Sequence, residues 1–324
     1  MRPFVAFAMV MFAMCLSSSS HGEDAASWPS QPIRMIVPFP AGGPADIVAR
    51  VVAERLSGAW GQAVVIENKP GANTAIAAAQ VAKAPANGYT LLVVMDVTMV
   101  LNPLTSKNLT YDPVRDFEPI SLLAKNTSLL TVHVDGPKTL AELIALGRAN
   151  PGKLNFGAGI ITTRLAAELF NKETGIVAQY VPFQGSPPTV QALMSKSVDY
   201  IVDGQAASLP LIQAGMFRAL AKTNDGPVPA LPGLRSLAVE AGASALDDVS
   251  TWIGVVAPAG TPRAIIDKVQ AEIARTYADP AMIDRLRNAG LNPVANRPEA
   301  FARFIQTETK RWGKVVKESG IELN

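Results

Sequence analysis

Cysteine and histidine are almost missing from this chain of 324 residues, which has one cysteine, Cys15, and two histidines, His21 and His133. A disulfide needs two cysteines, and zinc sites are built from clusters of cysteine and histidine. His133 lies in an apolar stretch that predicts a strand, so we expect a structural role for it. The sequence therefore predicts no thiol chemistry, no metal site and no cofactor.

A large excess of charge is also missing. The chain has 29 lysines and arginines against 27 aspartates and glutamates, a net charge of +2. Proteins that bind nucleic acid carry a strongly basic surface, so we expect no nucleic-acid partner. Hydrophobic residues make up 48% of the chain, which excludes wholesale disorder and is enough for a large core or two domains.

The N-terminus carries the features of a secretory signal peptide. Arg2 is followed by an apolar run over residues 4–16 and a small, polar stretch over residues 17–22. This pattern predicts a signal peptide over residues 1–22, with cleavage near Gly22. A lipid anchor on Cys15 is an alternative, but the bulky Met14 precedes it. We therefore expect an exported, periplasmic mature protein.

Hydrophobic runs long enough to cross a membrane are missing after the signal peptide. The best candidate, residues 91–101, is short and interrupted by Asp96. Short apolar runs instead alternate with segments of helical periodicity along the mature chain. This alternation predicts an α/β protein with largely parallel sheets. One doubly wound domain is an alternative, but two domains fit the length better.

Several predicted strands end in a glycine-containing loop that opens a helix. A helix start has unpaired backbone N–H groups, and glycine lets an anion approach them closely. Ligands gather at the carboxyl ends of parallel strands, so such loops on two lobes would form a cleft for a small carboxylate or phosphate. Each loop alone could be an ordinary turn, and no P-loop motif supports phosphate. The loops lie at residues 42–43, 71–73, 157–159 and 185–186.

Nine short segments of the chain carry a resemblance to a known family. They are 28–34 (WPSQPIR), 37–43 (VPFPAGG), 67–72 (ENKPGA), 87–92 (NGYTLL), 111–117 (YDPVRDF), 151–155 (PGKLN), 181–186 (VPFQGS), 257–262 (APAGTP) and 312–317 (WGKVVK). In this order and at this spacing they resemble the Bug family, the periplasmic substrate-binding proteins of tripartite tricarboxylate transporters, and the similarity extends over residues 28–324.

The resemblance implies a two-lobe, type II-like periplasmic-binding-protein fold with lobes joined by crossover strands. We expect the first lobe to combine residues 23–126 and 250–324 and the second to contain residues 127–249, with crossings near Asn126 and Val249. It also implies a receptor and not an enzyme. A monomer would capture an aromatic, dicarboxylic or amino acid in the cleft and deliver it to inner-membrane transporter subunits.

The first loop departs from the family pattern. The family usually has serine or threonine after the two glycines, and here Pro44 and Ala45 follow Gly43. Proline has no N–H group, so the N–H groups of Gly43, Ala45 and Asp46 would have to hold the ligand's carboxylate. Phe39 is expected to form an apolar wall beside them.

The other predicted contacts lie on later loops. Arg164 stands where the family usually has histidine and could grip a carboxylate with its guanidinium, or lie in solvent. Asp96 could repel a second carboxylate, pair with Arg164, or hold an amino or hydroxyl group. Asp203 matches an acid often present in the family, or caps the following helix. The remaining expected ligand contacts are Asn73, Thr74, Thr98, Thr162 and Thr163.

Two other functions are compatible with the sequence. Asp46, Asp96 and Asp203 could supply the acid and base of a secreted hydrolase or isomerase. A receptor of this kind could also present its ligand to a membrane sensor kinase instead of a transporter.

Overall fold

The computed structural model describes residues 27–246 and 249–319. The predicted signal peptide, with Cys15 and His21, lies outside the described residues. Within them the strands, in chain order, are β1 (Ile33–Val37), β2 (Val64–Asn68), β3 (Thr90–Met95), β4 (Phe117–Asn126), β5 (Ser128–His133), β6 (Leu154–Ala158), β7 (Ala178–Pro182), β8 (Tyr200–Gly204), β9 (Phe217–Lys222), β10 (Thr251–Pro258) and β11 (Leu291–Pro293).

Helices separate most of these strands, as the alternating pattern predicts. They are α1 (Pro44–Trp60), α2 (Ala75–Ala82), α3 (Asn102–Thr105), α4 (Leu140–Ala149), α5 (Ile161–Thr174), α6 (Ser186–Met194), α7 (Gln205–Gln213), α8 (Leu237–Ala241), α9 (Arg263–Thr276), α10 (Pro280–Asn288) and α11 (Pro298–Ser319). Short 3₁₀ turns cover Ala72–Thr74 and Ser244–Leu246, and a π-helical turn covers Val97–Leu101.

The strands form two separate sheets. The first has the order β11-β4-β10-β3-β1-β2, and the second has the order β7-β6-β8-β5-β9. In the first sheet β1 is parallel to β2 and β3, and in the second β6 is parallel to β7 and β8. Helices cover both sheets, which explains why β3 and β10 are buried along their whole length. The predicted two-lobe α/β fold is confirmed.

The chain crosses between the sheets through strands that meet end to end. β4 ends at Asn126 in the first sheet, and β5 begins at Ser128 in the second. The chain returns after β9, and β10 enters the first sheet at Thr251, where it pairs with Asn126. The lobe boundaries expected at 126/127 and 249/250 stay a prediction at the level of single residues. The crossings therefore bring residues of both lobes close together, where Asn126 pairs with Thr251.

Candidate functional site

A cleft between the lobes lies at the carboxyl ends of β1 and β3 on one side and of β6, β7 and β8 on the other, where parallel sheets place ligands. Its open space, counted out into the solvent at its mouth, is about 510 Å³. The lining residues are Phe39, Pro40, Gly43, Pro44, Ala45, Met95, Asn126, Ser128, Gly159, Ile160, Thr163, Gly185, Ser186, Pro187, Asp203, Gly204 and Thr251.

The start of α1 forms the wall of the cleft on the first lobe. Gly43 is the N-cap, Pro44 occupies the first helical turn, and no side chain caps the helix. The backbone N–H of Ile47 donates to the Gly43 carbonyl at 3.0 Å, so the regular helical bonds begin only there. The N–H groups of Ala45 and Asp46 lie in the first turn, where a helix has no internal acceptors for them. The start of α1 therefore offers donors and a positive dipole to an anion.

Asp46 acts inside the protein and does not line the cleft. Its carboxylate accepts hydrogen bonds from the Gly42 N–H at 2.9 Å, the Arg50 guanidinium at 2.8 Å and the Asn68 amide at 2.9 Å. Burial alone would raise the pKa of Asp46, but the bonds from Arg50, Gly42 and Asn68 outweigh it and lower the pKa. Its side chain fixes the loop that carries Gly43, and only its backbone N–H belongs to the helix start.

Two glycines bring the loops of the second lobe into direct contact. The Gly185 N–H donates to the Gly159 carbonyl at 2.9 Å. A Cβ on Gly159 would lie 2.5 Å from the carbonyl carbon and oxygen of Gly185, so only glycine allows this approach. Gly159 precedes α5 and Gly185 precedes α6, so the contact sets the distance between the two helix starts on this side of the cleft.

The floor of the cleft carries four buried polar atoms that lack a hydrogen-bond partner among the described residues. They are Asn126 Oδ1, Ser128 Oγ, Asp203 Oδ2 and Thr251 Oγ1. Buried polar atoms in native proteins are normally paired, so a cluster of four that also lines the cleft indicates a place for a polar ligand. Of these four residues, only Asp203 is among the ligand contacts predicted from the sequence. The missed residues flank the predicted crossings, and that position was the available signal.

Asp96 lies outside the cleft lining and joins the two lobes. It is fully buried, and its Oδ2 accepts a hydrogen bond from the hydroxyl of Thr162 at the start of α5 in the second lobe. Burial, and to a smaller extent the charge of Glu308, raise the pKa of Asp96 to about 7, although the bond from Thr162 lowers it. Of the three expectations for Asp96, the hydroxyl partner comes closest, but that hydroxyl belongs to Thr162 of the protein.

Arg164 does not line the cleft either. Its Nε pairs with Glu168, one helical turn later, at 2.7 Å, and its guanidinium lies 4.6 Å from the centre of the Tyr180 ring. The side chain is neither solvated, at 19% exposure, nor placed on the cleft wall. Its neighbour Thr163 does line the cleft, and the Thr163 hydroxyl donates to the Ile160 carbonyl at 3.0 Å.

A second compartment of the cleft opens beside the first and shares Phe39, Gly159 and Gly185 with it. Asn73 and Thr74 line it, and both have left-handed backbone angles, with φ of 47° and 77°. Asparagine adopts such angles readily, but they strain the β-branched Thr74, and strain of this kind clusters at functional sites.

A buried network holds this left-handed turn. Asn102 donates to the Asn73 carbonyl at 2.6 Å, and the hydroxyl of Thr98 donates to that of Thr74 at 3.0 Å. Tyr111 donates to the Thr98 carbonyl at 2.6 Å. Thr98 is thus a support for the loop, since it is buried and absent from the lining of both compartments.

None of the described residues that line either compartment has a cationic side chain. The described part of the chain also holds no group of three or more His, Cys, Asp and Glu residues that could bind a metal. His133 lies away from the cleft, where its Nδ1 accepts from the Asp135 N–H at 3.2 Å. Between residues 27 and 319, no described helix combines the length and apolar character needed to cross a membrane.

The empty protein should be more stable near pH 5 than near pH 8. Burial raises the pKa of both Asp96 and Asp203 to about 7, whereas an unfolded aspartate titrates near 4. The folded state therefore binds more protons in this window, and stability falls as the pH rises towards 7. We expect the free energy of unfolding, measured with urea, to be at least about 2 kcal/mol higher at pH 5.

Two variants test whether Asp96 and Asp203 cause this pH dependence of stability. Asp96→Asn and Asp203→Asn should each flatten the profile, because each removes one titrating group. Asp46 and Glu67 have lowered pKa values, so their contribution is lost only under more acidic conditions. A stability that stays level or rises from pH 5 to pH 8 would contradict the raised pKa values.

Two α/β lobes joined by crossover strands, with a cleft between them whose floor carries buried polar atoms, are the architecture of a solute-binding protein. The profile of the tripartite tricarboxylate transporter family receptor matches residues 48–321, so the chain belongs to that family. The resemblance to Bug proteins is confirmed, since BugT of Bordetella pertussis is 33% identical, with 92% of each chain covered.

Solved structures agree with this assignment. Rpa4515 of R. palustris with adipate is 36% identical, with a TM-score of 0.86 over 91% of this chain and 99% of that one. MatC of Rhodopseudomonas palustris with bound malate is 31% identical, with a TM-score of 0.81 over 89% of this chain and 100% of that one. The protein is therefore a periplasmic solute-binding protein of the family.

Proposed function

We propose that this receptor captures a small carboxylic acid in its cleft and delivers it to a membrane transporter. One observation carries the proposal: the uncapped start of α1 faces a floor of unpaired, buried polar atoms, with no cationic side chain among the described lining residues. Backbone N–H groups can bind a carboxylate at a helix start without a cation. The adipate and malate bound by the two structural relatives are carboxylic acids of this size.

Ligand capture would work by closure of the lobes. The ligand's carboxylate would lie on Gly43, Ala45 and the Asp46 N–H, while Thr163 and the floor contact it from the other side. Only the closed arrangement satisfies both sets of groups, so the ligand selects it. The buried bond between Thr162 and Asp96 adds a contact between lobes that favours closure. Arg164 takes no part in holding the ligand here, because its guanidinium is engaged by Glu168 and Tyr180.

The second compartment would receive the far end of a longer ligand. Asn73 and Thr74 present their loop there beside the shared wall of Phe39. This compartment explains how one site can take an aromatic or an extended chain while the carboxylate stays on α1.

We also propose that the protein is not an enzyme. A hydrolase or isomerase that used a pair of carboxylates as acid and base would need two of them in the cleft, and Asp203 is the single ionisable side chain among the described lining residues of the two compartments. Asp46 is engaged by Arg50, and Asp96 is buried outside the cleft. Recovery of each bound acid unchanged after prolonged incubation, by mass spectrometry, tests this; a product would contradict it.

The remaining parts of the proposal concern location and assembly. We propose that residues 1–22 are removed on export, that the mature protein is a monomer, and that its closed form docks on inner-membrane transporter subunits. N-terminal sequencing of the exported protein tests the cleavage, and light scattering with and without ligand tests the monomer. Retention of Met1 or a lipidated Cys15 would contradict the first of these.

A carboxylic acid that binds the cleft should raise the melting temperature. A ligand that binds the folded state alone stabilises it by about 2.7 kcal/mol at a hundredfold excess over the Kd. Among dicarboxylic, aromatic and amino acids, we expect at least one to raise the melting temperature by several degrees. Matched alcohols and amides without the carboxylate are the controls and should have no effect. An equal response to the amides would contradict a carboxylate site on α1.

A further inference from the structure

Asp203 is the one described cleft residue whose side chain can carry a charge, and half of its carboxylate is unused. The residue is 3% exposed, and its Oδ1 accepts a hydrogen bond from the Ser186 hydroxyl at 2.7 Å. Its Oδ2 has no partner among the described residues. In the proposed function the ligand's carboxylate binds to the start of α1 on the opposite lobe. Asp203 Oδ2 has no contact assigned to it there.

The elements packed around Asp203 offer few charged side chains that could pair with its carboxylate in place of a ligand. The helices α6 and α7, which pack on β8, carry no ionisable side chain. On α5 the nearest charges to the cleft are Arg164 and Glu168, which pair with each other, and Lys172 and Glu173 lie further along the helix. On β5 the residue opposite Asp203 is Leu129, and the ionisable His133 lies at the other end of that strand.

A second ligand carboxylate beside Asp203 would therefore meet a like charge with no cation to offset it. A hydroxyl or amino group would instead donate to the free oxygen, and a bond to a buried, charged acceptor is among the stronger hydrogen bonds. Asn126 Oδ1 and Ser128 Oγ lie in the same floor and add further acceptors.

We propose that Asp203 determines specificity, its Oδ2 accepting a hydrogen bond from a hydroxyl or amino group of the bound acid. The inference rests on the proposed function and names the substrate class within it: hydroxy or amino carboxylic acids are preferred over their unsubstituted counterparts. An unsubstituted acid of the same chain length leaves the buried oxygen unpaired, which costs affinity.

Binding of such an acid should release protons. Burial raises the pKa of Asp203 to about 7, so near neutral pH the empty site is partly protonated. A donor on the ligand favours the ionised carboxylate and expels that proton. A dicarboxylic acid that instead shared the proton of Asp203 would cause proton uptake. The sign of the proton change thus separates the two arrangements.

The experiment is titration calorimetry of the whole exported protein with matched acids, near pH 7, in two buffers of different ionisation enthalpy. The probes are succinate with L-malate and L-aspartate, glutarate with 2-hydroxyglutarate and L-glutamate, and benzoate with the hydroxybenzoates. We expect at least one substituted acid to bind tenfold or more tightly than its parent, with proton release. That range corresponds to one charge-assisted hydrogen bond.

Asp203→Asn is the decisive variant. Its carbonyl can still accept from Ser186, and its NH₂ group then replaces the acceptor Oδ2 with a donor. The substituted acid should lose tenfold or more in affinity, its parent should change less than threefold, and proton release should disappear. Glu118→Gln is the matched control, since this exposed acid lies eight residues from Asn126 along β4, roughly 26 Å away. It should behave as the wild type.

Three results would overturn the inference. The first is proton uptake with a dicarboxylic acid that Asp203→Asn binds as tightly as the wild type does. The second is binding of every acid pair equally, in both proteins. The third is that no carboxylic acid binds the wild type, in which case the proposed function fails as well. The melting temperature of the empty Asp203→Asn protein, expected within a few degrees of the wild type, shows that the fold is intact.

Discussion

Gly159→Ala should weaken ligand binding at least about 100-fold, which corresponds to a reduction of about 3 kcal/mol in binding free energy. The new Cβ would lie 2.5 Å from backbone atoms of Gly185, and a backbone cannot rotate away as a side chain can. The loops before α5 and α6 must separate, and both glycines line both compartments of the cleft. The expected size is that of about two charge-assisted hydrogen bonds, at roughly 1.5 kcal/mol each, lost when Thr163 and the floor move away from the proposed ligand.

Two further glycine variants make this result specific. Gly58→Ala, on the exposed side of α1, has no atom within 4 Å of the added Cβ and should slightly stabilise the protein without changing affinity. Gly43→Ala has its nearest contact at 3.7 Å, so the protein tolerates it and any drop in affinity reports on the ligand's space. If Gly159→Ala binds within threefold of the wild type while folded, the close contact of the loops does not shape the cleft.

The fold could be predicted from the sequence because each strand and helix follows from a local pattern of residues. Short, largely apolar runs between turns predict β1, β3 and the first three residues of β6, and helical spacing predicts α1 and α9. The position of the cleft follows from the same pattern, since parallel strands place their loops at one edge. The residues at helix starts, such as Gly43 and Thr163, could therefore be predicted to line it.

The hydrogen bonds between distant side chains could not be predicted in the same way. Asp96 and Thr162 are 66 residues apart and lie on different lobes, so their bond depends on how the lobes dock. The left-handed turn at Asn73 depends on Asn102, which no local pattern connects to it. Residues at the crossings were within reach: Asn126 and Ser128 interrupt an apolar stretch where the chain changes sheets.

For Arg164, the comparison with the family drew attention away from an ion pair that the local sequence predicts. Glu168 lies four residues later, and that spacing on a helix is enough to predict an ion pair. Interpreting Arg164 by the histidine that the family has at this position gave two expectations, a ligand contact or a solvated side chain, and neither included the pair with Glu168. The nearby ring of Tyr180 then holds the guanidinium in place on the second lobe.

Phe301→Ala should lower the free energy of unfolding by about 3–5 kcal/mol, the range for truncation of a buried phenylalanine. Phe301 is fully buried on α11, and its ring meets that of Trp252 edge-on, with centroids 5.6 Å apart. Trp252 lies on β10, the strand by which the chain returns to the first lobe. Urea unfolding measures the change, and Phe304→Ala, a half-buried neighbour on the same helix, is the control with a smaller expected effect.

The contact between Phe301 and Gly254 allows a compensating exchange of size. A Cβ on Gly254 would lie 2.2 Å from Phe301 Cζ, so Gly254→Val alone should cost about 1–3 kcal/mol through overpacking. In the Phe301→Ala background the same valine enters space that the ring has left. We expect the double variant to be more stable than the sum of the single effects implies by at least about 1 kcal/mol, because the two positions are in direct contact. Strictly additive effects would mean that the ring does not pack on Gly254, and that α11 is held to β10 through Trp252 instead.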